Sequence, residues 1–213
     1  MNNEEYFELL NNEKKTLDEL RKQGVELAQG VIGKTLFGDD LFFCASLNRC
    51  INLIDGFWLL LNNRNLTCGG AILRLQIDNC LRTYAAFIAA DRNKVIECII
   101  NGKRIDKERD TQGHMMTDGY LKKKLGEMDS SIVVIYDNTS GYVHLSEKAF
   151  YETVVNCDNG EVEFQIGREL PEKRNSVLIE MLEAFIHFIK LHYKMVTAVV
   201  DSKRRYDLEN SDF

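Results

Sequence analysis

The chain has 213 residues, enough to bury one sizeable core, and 45% of them are hydrophobic, an ordinary fraction for a globular protein. Its net charge of −6 disfavours sequence-independent binding of nucleic acid, which is driven by released counterions, although a local basic patch is compatible with it. A single proline, Pro171, leaves long helices unbroken and argues against a β architecture of many turns.

Residues 3–29, rich in Glu, Lys and Leu, read as a first helix, after which Gly30 and Gly33 punctuate the chain. Residues 38–62 carry a second helical pattern. Asp39 or Asp40 is placed to cap it, and Leu41, Leu47, Ile51, Ile54, Trp58 and Leu61 make its apolar stripe. Asn62-Asn63-Arg64-Asn65 is a polar break, and Thr67 is placed to cap a third helix running to about Ala90. A short helix around 92–101 follows. Residues 102–119 are charged and glycine-punctuated, and are expected to form a mobile loop. Helical character resumes near Leu121 and continues, with a break at Gly126, to about His144.

The period then changes. Val162, Phe164 and Ile166 alternate with Glu161, Glu163 and Gln165, the two-residue repeat of a half-buried strand. With Asn159-Gly160 as the turn, Cys157 falls opposite Val162, Val155 opposite Phe164 and Thr153 opposite Ile166. A hairpin over about 150–167 is therefore expected, and its edge offers a place for a second copy of the chain to pair. Beyond Pro171 an amphipathic helix covers 175–200, and residues 203–213 form a charged, frayed tail. The expected fold is mainly α: an up-and-down helical bundle of four to five long helices with one inserted β-hairpin, residues 1–202 forming a single domain.

Met1 to Glu26 has no apolar core of a secretory signal. Apolar runs such as Phe57-Trp58-Leu59-Leu60-Leu61 fall far short of the about 20 residues of a membrane span. Cys44, Cys50, Cys68, Cys80, Cys98 and Cys157 form no C-x-x-C pair and read as reduced, buried small hydrophobes. A cytoplasmic location is expected, with no metal site, no cofactor and no membrane partner. P-loop, G-x-G-x-x-G, G-x-S-x-G and H-E-x-x-H motifs are absent from the sequence.

Two polar ladders carry the functional expectations. Arg74, Asp78 and Arg82 stand at i, i+4 and i+8, at roughly 0°, 40° and 80° on a helical wheel, beside Leu81 and Ala85. Gln76, Asn79 and Thr83 are assigned to the solvent face. Tyr136, Ser140 and His144 repeat the same spacing, flanked by Ile132, Val133 and Val143. Polar groups set into apolar faces are costly unless paired, so the two ladders are expected to face one another or share a polar cavity. In one reading Asp78 bridges Arg74 and Arg82, and Tyr136, Ser140 and His144 complete a structural network. In the other, Arg74 and Arg82 clamp a phosphate or carboxylate while His144 exchanges a proton, oriented by Tyr136 and Ser140. Asn48, Asn52 and Asp55 read as a solvated line, His114 as a solvated loop residue, and His187 and His192, five apart, as residues that share no face.

The stretches Arg74-Leu-Gln-Ile-Asp78-Asn-Cys-Leu-Arg82 and Ile135-Tyr136-Asp-Asn-Thr-Ser140-Gly-Tyr-Val-His144-Leu-Ser146 resemble a group of uncharacterised bacterial helical proteins. Their pattern is an Arg-x-x-x-acid helix followed by a Tyr-x-x-x-Ser-x-x-x-His segment, and the likeness spans residues 40–200. These proteins distantly resemble HEPN domains, which occur in toxin–antitoxin and phage-defence systems. Many HEPN domains are metal-independent ribonucleases with an arginine a few residues before a histidine. Counted back from His144, that arginine position holds Asp137, Asn138 or Thr139, so a ribonuclease site would need Arg74 or Arg82 to supply the charge in space. The preferred expectation is a non-catalytic interaction module, paired as a homodimer, with structural ladders. The alternative is a HEPN-like ribonuclease or phosphoryl-transfer enzyme acting on RNA, with His144 as general acid/base and Arg74 and Arg82 on the phosphate.

Overall fold

The computed structural model describes residues 1–144, 153–158, 160–164, 166–167 and 170–210. In chain order they form α1 (Asn3–Ile32), α2 (Gly38–Asn62), α3 (Leu66–Ile88), α4 (Arg92–Ile100), α5 (Asp118–Gly126), α6 (Ser131–Val143), β1 (Val154–Asp158), β2 (Glu161–Phe164), a 3-10 turn (Glu172–Arg174) and α7 (Asn175–Glu209). The chain is mainly helical, in line with its periodicity. Among the described residues no helix is long and apolar enough to cross a membrane.

Local chemistry explains where the helices begin. Asn2 and Glu5 form a reciprocal capping box on α1: the Glu5 amide donates to Asn2 Oδ1 at 2.8 Å and the Asn2 amide to Glu5 Oε2 at 3.0 Å. On α2 the cap residue is Phe37, not Asp39 or Asp40; Asp40 instead reaches back and accepts from the Phe37 amide at 2.7 Å. On α3 it is Asn65, not Thr67, that accepts from the Cys68 amide at 3.0 Å. In each case the cap is the last residue with a non-helical backbone, which charge or polarity alone does not identify.

α1 packs on α2 and α7, and α3 packs on α2, α7 and α6, with α4 and α5 beside it. The core between them is aliphatic and aromatic. Phe57 and Phe185 stack with ring centroids 4.0 Å apart, and buried Tyr6 donates to the Leu61 carbonyl at 2.8 Å. Gly70 sets the approach of α6 to α3. A Cβ at Gly70 would overlap the ring of Tyr142, so only glycine lets that ring sit against the α3 backbone. Leu41, expected in the apolar stripe of α2, is exposed.

The segment expected as a mobile loop is tied down instead. Ile105 and Met116 are buried, the Ala90 amide donates to Arg109 O at 3.0 Å, and the Met116 amide donates to Glu108 O at 2.9 Å. Asp110, also buried, accepts from the amides of Gln112 and His114 and from the Tyr120 hydroxyl at 2.5 Å. Burial works to raise the Asp110 carboxyl, but the bonds from Tyr120, His114 and Gln112 outweigh it and hold the group below its usual range. The same bond to Asp110 pushes the Tyr120 hydroxyl up to about 12.

β1 and β2 pair antiparallel, with Cys157 opposite Val162 and Asp158 opposite Glu161. The register differs from the expected one beyond that point: Val154, not Val155, lies opposite Phe164, because Val155 is the extra residue of a bulge. Asn159, half of the expected turn, and Gln165 lie outside the described residues, while Gly160 has the positive φ of 81° that glycine tolerates. Val162, Phe164 and Ile166 are exposed rather than half-buried.

The charged tail also departs from expectation. α7 continues to Glu209, and Lys203 is buried, ion-paired with buried Asp40. Its ammonium lies 4.3 Å from the Phe37 ring centroid, Phe37 meets Tyr206 edge-on, and the Lys34 amide donates to Asp207 at 3.1 Å. The folded unit therefore runs past residue 202. Val196, Val200 and Lys203 follow helical spacing along one buried face, so the lysine occupies a core position and its charge needs Asp40. Replacing Lys203 by alanine strands Asp40 and is expected to lower stability by about 3–5 kcal/mol, read from urea unfolding. An unchanged midpoint would mean that the end of α7 is dispensable.

Candidate functional site

α3 carries three charged residues, Arg74, Asp78 and Arg82, and all are half-buried. The expected apolar face with Ile77, Leu81 and Ala85 is buried, but so is the face assigned to solvent: Gln76, Asn79 and Thr83 lie inside the protein, and Leu75 is exposed. On a wheel of about 100° per residue, buried positions of α3 sweep roughly three quarters of the circumference. The remaining strip holds Asp78 and Arg82, while Arg74 falls between buried Leu81 and Ala85. α3 is surrounded by α2, α7 and α6, so it lacks the broad solvent face of a surface helix.

The two ladders meet at one point. The Arg74 guanidinium lies 3.8 Å from the centroid of the Tyr136 ring, a cation–π contact at close range, and Lys122 lies 5.1 Å from the same ring while pairing with Asp137 at 2.8 Å. Ser140 is half-buried and His144 is exposed, one residue past the end of α6. Eight residues advance a helix by roughly 80° beyond full turns, which carries His144 off the face that Tyr136 presents to α3. Among the described residues, Arg74, Asp78, Tyr136, Ser140 and His144 do not share one enclosed spot, since His144 is exposed. Asp78 bonds Arg82 at 3.2 Å and approaches Arg49, rather than Arg74, at 3.9 Å.

The Arg82 end of α3 does build a site. Arg82 reaches Asp118, at the start of α5, at 2.7 Å as well as Asp78. The ends of these side chains line a cleft of about 610 Å³, whose other wall is the anchored loop carrying Lys103, Arg104 and Asp106, with Ile99 at its side. Arg104 pairs with Asp106 at 2.7 Å. Four cations (Arg49, Arg82, Lys103, Arg104) against three carboxylates (Asp78, Asp106, Asp118) leave one positive charge over. Arg82 and Asp78 belong to the expected site; Arg49, Lys103, Arg104 and Asp118 do not, since they come from three other parts of the chain. Among the described residues no group of three or more His, Cys, Asp or Glu side chains could hold a metal ion.

A second polar cluster, unforeseen in the sequence, lies in the core. Asn79 donates to the Ser46 carbonyl at 2.9 Å, and the Ser46 hydroxyl lies 2.8 Å from the Phe43 carbonyl and 3.1 Å from His192 Nε2. The single hydroxyl proton goes to Phe43, so His192 donates from Nε2 and keeps a bare acceptor at Nδ1. His192 Nδ1, Gln76 Oε1 and Thr83 Oγ1 have no protein partner. The clue in the sequence was that His192 continues the Phe185, Phe188, Ile189 face of α7. Of the cysteines, Cys50 and Cys80 are buried, Cys44 and Cys98 are half-buried, and Cys68, expected inside, is exposed; all five are free thiols. Asn48, Asn52 and Asp55 are exposed, and exposed His114 stacks on Tyr120.

Comparison of the chain with protein-family models, curated proteins and solved structures returns no match.

Burial pushes His192 down to about 3, against 6.5 for the free side chain. The unfolded chain therefore binds this proton first as acid is added. The neutral histidine's contribution is complete above pH 6.5 and is lost as pH falls from 6.5 towards 3, at up to about 1.4 kcal/mol per pH unit. Urea unfolding at pH 7 and pH 5 should show this loss in the wild type, and a His192→Gln protein should show a smaller one. Equal losses would place the titration elsewhere.

Proposed function

We propose that this chain is a non-catalytic binding module on an up-and-down helical bundle, with the cleft beside Arg82 as its recognition site and the polar ladders as structure. The short links at 33–37 and 63–65 support the up-and-down order. One observation carries the reading. Both guanidiniums that a phosphoryl-transfer site would use are already engaged, Arg74 on the Tyr136 ring and Arg82 between Asp78 and Asp118. His144 meanwhile stands exposed beyond α6. A general acid–base pair works when its members reach the same reacting atom, and here the two arginines are bound to separate partners while His144 is exposed. The net charge of −6 also works against an RNA substrate.

The free thiols fit a cytoplasmic setting. A bacterial stress or phage-defence role rests on the HEPN resemblance alone. Pairing of two chains through the hairpin is supported by the exposure of Val162, Phe164 and Ile166. The test of the non-catalytic reading incubates total RNA with purified wild type and with His144→Ala. Neither should cut above the buffer control. Cutting by the wild type that disappears in the variant would establish the ribonuclease instead.

A further inference from the structure

We infer that the cleft beside Arg82 takes a small organic phosphate: one phosphate monoester on a polar body the size of a sugar or nucleoside. The inference rests on the binding-module reading and names the ligand class of that same cleft. Its cations are not equally committed. Arg82 is held by Asp78 and Asp118 at 3.2 and 2.7 Å. Arg49 stands 3.9 Å from Asp78, at the outer limit of an ion pair, with its side chain 47% exposed. Lys103 makes no ion pair among the described residues and is exposed. A guanidinium carries five N–H donors and grips a phosphate through two parallel bonds, so Arg49 has donors to spare. Arg49 and Lys103 are therefore the pair that holds the anion, and Arg82 with its two carboxylates forms the fixed floor.

The carboxylates set the ligand's charge and size. The two loosely held cations, Arg49 and Lys103, match the charge of about −2 on a single phosphate monoester. A polyanion would run into Asp78, Asp106 and Asp118, and into a chain of net charge −6. The volume of about 610 Å³ lies within the range of small-molecule sites, about 300–1,000 Å³, and is far larger than inorganic phosphate fills. The rest of the space is walled by Ile99 and by Asp106, which accepts from hydroxyl or amino groups.

Isothermal titration of the full chain with AMP, ribose 5-phosphate and glucose 6-phosphate, each beside its dephosphorylated counterpart and beside inorganic phosphate, tests this. At least one phosphorylated compound should bind more tightly than both its counterpart and inorganic phosphate. Arg49→Gln and Lys103→Ala should each weaken it by about tenfold or more, with an unchanged thermal midpoint because both side chains are exposed. No binding preference for any phosphorylated compound, or binding indifferent to both substitutions, overturns the assignment. Failure here leaves the RNA result untouched. Turnover of a bound phosphate ester, followed by phosphorus NMR, would overturn the non-catalytic reading while keeping the ligand.

Discussion

The hydrogen-bonded line from Asn79 through Ser46 to His192 sets the rotation of α3, and the rest of the molecule follows from that rotation. It joins α3, α2 and α7 at one level of the core. A buried polar group left without its partner costs about 1–3 kcal/mol, so a small turn of α3 about its axis would be penalised at several atoms together. With α3 held this way, Leu73, Ile77, Cys80 and Leu81 fill the core. Asp78 and Arg82 are left on the strip that opens to the cleft, and Arg74 is covered by the Tyr136 ring of α6.

That strip decides where a site can form. At the start of α3, Gly70 admits the ring of Tyr142, α6 settles on α3, and Arg74 is laid on Tyr136. At its end Arg82 emerges beside α5 and the anchored loop, where Asp118 meets it. Asp110, by gathering two amides and one hydroxyl, gives that loop a fixed shape. The cleft thus has walls that are positioned before any ligand arrives, which lowers the ordering cost of binding. The Lys203–Asp40 pair fastens the end of α7 to the start of α2.

The proposed binding role rests on this arrangement. Catalysis needs a proton-transfer group and its electrostatic partner held around one reacting atom. Here His144 is carried past the end of its helix, and each ladder arginine is spent on a neighbour. The buried histidine is His192, locked neutral in the core and out of reach of any substrate. A local surplus of positive charge within an acidic protein favours a small anion and discourages a long one.

From the sequence alone, the helical class, the extents of α2 and α4 and the solvated line Asn48, Asn52, Asp55 were legible, because each depends on a period or spacing within one segment. The alignment of the α3 charges along one line was legible too, but that line was expected on the buried side, and only its Asp78–Arg82 end lies at an open cleft. That the second side of α3 was buried could not be read from that helix: Asn79 looks solvated until Ser46, distant in the chain and itself bonded to His192, accepts from it. The same holds for Lys203, a tail charge until Asp40 is placed beside it, and for the cleft, whose four cations come from α2, α3 and one loop. The sequence by itself determined the elements and their polarity. Only the tertiary structure decided which polar groups were enclosed, since burial is a property of what packs around a residue and not of the residue itself.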